Sequence, residues 1–276
     1  MDLIDTSRSL VIFASQNFLQ DAFLLVLHAH WIFVSKQSAT SERSLQIGWE
    51  HQSMLCVIQC AGSKQANGVT LHTMNGHRVM FVARPDAAPP EKGVLYAHPD
   101  DMSDITGITW RQRVMAVNAG REPDPGLWIA GKLYRPKAYA LLLEKMGIER
   151  LFILSAGWGL VRADFLLPDY DITFSTSAEP WKRRRAGDKF PDFNALERTQ
   201  EDIVFLGGKD YLPLFLRLTR GTAGRRLVVY NSVNPPVACG CALTRYPTTR
   251  RTNWHYDCAE DLATGIWHPD FEAAPS

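Results

Sequence analysis

The chain has no apolar run long enough to cross a bilayer as a helix. Its longest, residues 22–34, is interrupted by His28 and His30, whereas a span needs about 20 apolar residues. No membrane partner is therefore expected. Cysteine is scarce: Cys56, Cys60, Cys239, Cys241 and Cys258 are the five. An odd count, with no secretory n-region and no small-residue cleavage site, argues against a disulfide framework and leads us to expect a reducing, cytoplasmic setting. Neither sign of charge dominates, and the formal net charge is +1. Any nucleic-acid partner must then be argued from a local patch. Internal repeats and low-complexity tracts are missing, which argues against a repeat array. Also missing are the G-x-x-x-x-G-K-[ST] phosphate loop and the full G-x-G-x-x-G fingerprint. The stretch "GWGLVR" has the first two glycines of the latter and lacks the third.

What is present is core. The 276 residues are 46% hydrophobic, enough for one large α/β domain or two small ones. Residues 1–53 read as an N-terminal extension or accessory layer, with a strand at Leu10–Ala14, a helix at Phe18–Ala29 and a strand at Trp31–Val34. From Met54 to residue 276 the pattern is that of an α/β domain. The apolar runs "MLCVIQC", "HRVMFVA", "VLYA", "RLFILSA", "DIVFLGG" and "RRLVVYN" predict strands. Helices are predicted at Trp110–Val117, over "LWIAGKLYRPKAYALLLEKMG" with Gly147 as its stop and Pro136 as a kink or restart, over "KDYLPLFLRL", and at Asp257–Ile266. Continuous apolar strands alternating with helices imply a mostly parallel sheet covered on both faces.

In such sheets ligands gather at the carboxyl ends of the strands. Four predicted strands end in polar or glycine-bearing loops: Cys60 to Lys64 with Gly62 and Ser63, Ser155 to Leu160, Gly207-Gly208-Lys209-Asp210-Tyr211, and Asn231-Ser232. The glycines, Gly157 and Gly159 among them, allow close backbone approach to a ligand, and Lys64 or Lys209 adds charge for an anion. Trp158, between two glycines, is placed to stack on a nucleobase. Asp164, Asp169 and Asp171 follow it, and each is a candidate general base, sugar-hydroxyl acceptor or partner for a cationic transition state. Bracing of the loop is the competing role, and at least one of the three is expected to be structural.

The stretch "LSAGWGLVRADFLLPDYDIT" resembles the strand-loop motif of the peroxide-stress protein YaaA family. The likeness runs from about residue 54 to 230, taking in "CAGSK", "LYRPKAY" and "VFLGGKDYLPL". It implies a link to DNA binding and oxidative damage, with a nucleobase- or glycosylase-like pocket. If the protein is an enzyme, the resemblance implies N-glycosidic cleavage or base exchange, with Trp158 on the base and Asp164 or Asp169 stabilising charge on the sugar. Lys64 and the Gly207-Gly208 turn would hold phosphate. No cofactor and no metal is expected.

Other constellations compete. "AHPDD" has the His98 and Asp101 spacing with which a zinc hydrolase motif opens. Cys239, Cys241, His255 and Cys258 have ligand types for a structural zinc. Lys182, Arg183, Arg184 and Arg185 form the densest basic patch, suited to nucleic-acid phosphates in a non-catalytic binding protein. In "RTNWHYD", Asn253 and His255 have the chemistry to read a base edge or move a proton.

Overall fold

The computed structural model describes residues 54–65, 69–104 and 107–272. The expectations for residues 1–53 lie outside the described residues.

The apolar run at Met54 forms strand β1 (Met54–Gln59), buried along its length until Gln59. Strands β2 (Arg78–Phe81) and β3 (Val94–Ala97) pair in parallel as a separate two-stranded sheet. Helix α1 (Trp110–Asn118) starts at a capping box, in which the Thr109 and Gln112 side chains and backbone amides bond reciprocally.

The long helix expected over residues 127–147 is broken into β4 (Trp128–Ile129), α2 (Ala130–Leu133) and α3 (Lys137–Met146). Tyr134 is extended (φ −99°, ψ 142°) and Pro136 opens the second helix. A proline's ring disfavours helical geometry in the residue before it, so the chain leaves the helix and re-enters after Pro136. Gly147, at φ 82°, ends α3 where the sequence placed its stop.

Strand β5 (Leu151–Ser155) is wholly buried. It turns directly into β6 (Gly159–Arg162), which runs back antiparallel to it. Two short strands follow, β7 (Leu166–Leu167) against β4 and β8 (Phe193–Asn194) beside β6. Then come β9 (Asp202–Leu206), α4 (Leu212–Leu218), β10 (Arg226–Tyr230), β11 (Ala242–Arg245) and α5 (Trp254–Thr264).

The main sheet has seven strands in the order β11-β10-β9-β1-β5-β6-β8. The five from β11 to β5 are mutually parallel. From β1 the chain steps one way to β5; from β9 it steps the other way to β10 and β11. Right-handed crossovers in opposite directions put helices on opposite faces of a sheet, which makes this a mixed, mostly parallel α/β fold with both faces covered. Helix α5 packs on α3, whereas α4 packs near β6. The travel reverses between the neighbours β1 and β9, so the topological switch point lies at the ends of Gln59 and Leu206.

Candidate functional site

At the switch point two parallel strands diverge into loops that leave in opposite directions, and a crevice opens between them. Here it is a cleft of about 460 Å³, within the range of roughly 300–1,000 Å³ seen for small-molecule sites. Gln59, Cys60 and Gly62 from the end of β1 form one wall. Gly207 to Leu212, between β9 and α4, form the floor, and Asn231 and Ser232 follow β10. The start of α5, from Arg251 to Tyr256, closes the far side, and Thr173 and Ser175 reach in from a loop.

Local chemistry holds this shape. The Gly208 amide donates to Oε1 of Gln59 at 2.6 Å, tying β9 to β1. That leaves the Gln59 Nε2 without a protein partner among the described residues. Asn231 donates through Nδ2 to the Arg250 carbonyl at 2.9 Å, fastening the α5 approach to β10. Cys60 Sγ lies 3.2 Å from the Tyr211 hydroxyl. Behind it Tyr134 and Tyr170 share a hydrogen bond of 2.7 Å, and Ser155 donates to the Tyr170 hydroxyl at 2.8 Å. Burial pushes the phenols of Tyr134, Tyr170 and Tyr211 well above their ordinary range, so they stay neutral.

The cleft carries few charges: Lys209 and Arg251, and, as the one carboxylate among its described lining residues, Asp210. His255 is 3% exposed and its Nε2 has no hydrogen-bond partner among the described residues. Of the buried side-chain nitrogens without a partner among the described residues, it alone borders the cleft. Leaving such a group unpaired costs about 1–3 kcal/mol. Burial lowers its pKa from 6.5 to about 4.

A measurable pH dependence follows. Between pH 6.5 and 4 the unfolded chain holds a proton on this imidazole that the folded chain lacks, so stability present above pH 6.5 is lost as pH falls. At pH 5 the loss is about 2 kcal/mol relative to pH 7.5. Urea unfolding of wild type and His255→Gln at both pH values checks this, and the substitution is expected to flatten the dependence.

The sequence candidates divide into those that meet here and those that do not. Cys60, Gly207, Gly208, Tyr211 and Asn231 line the cleft. Ser63, Lys64, Ser155, Gly157, Trp158, Gly159, Asp164, Asp169 and Asp171 do not. Trp158 is fully buried, edge-on to Phe81 with ring centroids 5.2 Å apart, and the Arg111 guanidinium lies 5.3 Å from its ring. It has no free face for a base. Its turn is built for the hairpin: the Ser155 hydroxyl accepts from the Gly157 and Trp158 amides. Gly159 sits at φ 93°, and a Cβ there would meet the Phe193 backbone at 2.5 Å.

The three aspartates are each held locally. Asp164 follows β6, which runs antiparallel, and so lies at the opposite edge of the sheet from the cleft. Its carboxylate accepts from Arg162 at 2.8 Å, and that bond lowers its pKa. Asp169 accepts the Tyr170 amide at 2.8 Å. Asp171 pairs with Lys182 at 2.9 Å. Lys64 donates to the Tyr170 carbonyl and lies 4.3 Å from that ring's centre, so its charge braces the same loop.

The basic patch is likewise partly internal. Arg184 is buried and makes a bidentate pair with Asp192, both bonds 2.7 Å, plus a bond to the Ala156 carbonyl at 2.8 Å. Lys182 is engaged by Asp171 and Glu179, and the Arg183 guanidinium donates to the Thr176 carbonyl. Arg185 is exposed and held through its backbone, its amide donating to the Asp188 carboxylate and its carbonyl accepting the Asp188 amide.

In "AHPDD", Asp101 accepts the His98 backbone amide at 2.7 Å and Asp100 pairs with Arg111. The loop is thus a self-capped turn. Cys239 is exposed, while Cys241, His255 and Cys258 are buried. Among the described residues no three His, Cys, Asp or Glu side chains come together in a way that would hold a metal ion. No helix among the described residues is long and apolar enough to cross a membrane.

Residue-by-residue reading missed Gln59, Thr173 and Ser175. Gln59 left a signal, being the one amide in the otherwise apolar "MLCVIQC". Thr173 and Ser175 sit in an irregular loop that only tertiary structure brings to β1 and β9.

Fold and cleft together define a mostly parallel, doubly wound α/β protein with a crevice at its switch point. No protein-family model, curated protein or solved structure matches the chain.

Proposed function

We propose that this protein binds a nucleobase-bearing ligand, a nucleotide or a nucleic-acid end, in the switch-point cleft, and that its resemblance to the YaaA family reflects that shared use of the strand-end edge. The observation that carries this reading is the convergence of Gln59, the Gly207-Gly208 turn, Asn231 and Tyr211 on one crevice of small-molecule size. With the Gln59 oxygen held by Gly208 and the Asn231 nitrogen by Arg250, Gln59 offers its Nε2 as donor and Asn231 its Oδ1 as acceptor to a base edge. Gly208, beside which a Cβ would meet only the Gln59 amide oxygen, permits close approach, and an aromatic wall suits a flat ring. A shallow depression lined by Arg183, Arg185 and Phe174 shares Lys209 and Asp210 with the cleft, which gives a polynucleotide a path outward. Base release or exchange at this site would rest on Asp210, since Asp164 and Asp169 lie elsewhere.

Titration calorimetry with ribonucleosides and their 5′-monophosphates tests the reading. At least one is expected to bind, with affinity falling about tenfold, or 1.4 kcal/mol, in Asn231→Ala or Gln59→Ala. Absence of binding by every compound, or binding indifferent to both substitutions, contradicts it.

A further inference from the structure

The start of α5 has features that the base-binding reading leaves unused. We propose that it forms an anion subsite, taking the phosphate of a nucleotide whose base occupies the same cleft; this rests on the nucleotide reading above.

Asn253, the residue before the helix, adopts φ 59°, the one positive φ outside glycine among the described residues. Its side chain does not cap the helix. The Tyr256 amide bonds back to the Asn253 carbonyl, but the Trp254 and His255 amides have no acceptor among the described residues. The helix is 11 residues long, so its dipole adds a positive end to those amides.

Two side chains supplement the backbone. The His255 imidazole is buried against the cleft with Nε2 unpaired, and as the Nε2–H tautomer it donates to a bound oxygen. The Arg251 side chain borders the cleft and is exposed, with no carboxylate partner among the described residues. Its neighbour Arg250, by contrast, pairs with Asp257 at 2.9 Å. Three kinds of donor thus border the same end of the cleft: helix amides, a neutral imidazole and a guanidinium. A tetrahedral oxyanion satisfies all three at once, and a neutral sugar or base edge does not. The site differs from the one first expected, because Lys64 is turned to the Tyr170 carbonyl.

The test compares each ribonucleoside with its 5′-monophosphate, and adds inorganic phosphate alone, by calorimetry on the full chain. The monophosphate is expected to bind at least tenfold tighter than its nucleoside. In Arg251→Gln and His255→Asn the preference should shrink below about threefold, while nucleoside affinity is retained. Arg251 is exposed, so its variant keeps the test usable if His255→Asn unfolds. Equal binding of nucleoside and monophosphate overturns the anion subsite and leaves the base-binding reading intact. Phosphate binding that both variants abolish, without any nucleoside binding, keeps the subsite and rejects the base. No binding of any probe overturns both.

Discussion

Replacing Arg184 with alanine should destabilise the protein by about 3–5 kcal/mol, the usual loss when one partner of a buried ion pair is removed. Arg184 and the Asp192 carboxylate are both almost fully enclosed, and the remaining partner, Arg217, is largely solvent-exposed. The substitution also orphans the Ala156 carbonyl in the turn after β5. For a domain of this size the loss lowers Tm by roughly 10 °C. The control is Arg185→Ala, one residue on and exposed, where the change should stay within about 0.5 kcal/mol. Thermal and urea unfolding of the pair measures the contrast. A stable Arg184→Ala protein with weakened polyanion binding would return this residue to the nucleic-acid surface.

Trp158→Ala is expected to cost about 3–5 kcal/mol, the range for emptying a buried aromatic site. The indole fills the space between Phe81, Phe193 and the Arg111 guanidinium. The hairpin turn leaves little freedom to collapse around the gap, since Gly159 is already pressed against Phe193. Trp158→Phe keeps most of the volume and should lose less. Where either variant remains folded, nucleotide affinity should match wild type, because the ring does not border the cleft. Unchanged stability with abolished binding would contradict the placement of Trp158 in the core.

Most strands were legible because their apolar runs are continuous and bounded by glycine or polar residues, as at Met54–Gln59, Leu151–Ser155, Asp202–Leu206 and Arg226–Tyr230. Strand β6 was not, because Gly159–Arg162 is short, begins with a glycine and follows another at Gly157, and that pattern reads equally as a loop. That one element decided much of the site. With β6 antiparallel, Asp164 moves to the far edge and Trp158 turns inward, so the motif with the strongest family likeness is a folded hairpin rather than a ligand loop. Part of the cleft was visible in the loops after β1, β9 and β10. The rest needed tertiary structure, since Gln59, Thr173 and His255 meet only when the strands are ordered with β1 beside β9. Charge was the least legible property. The run Lys182 to Arg185 looks uniform in sequence, yet burial gives Arg184 and Arg185 opposite environments.

The most direct test of the central claim is a crystal structure of the full chain with a ribonucleoside 5′-monophosphate that binds it. The account predicts the base between Gln59, Tyr211 and Asn231, with its phosphate at the Trp254 and His255 amides. A nucleotide found against the hairpin at Ser155–Gly159, or on the surface of residues 182–185 with the cleft empty, would contradict it.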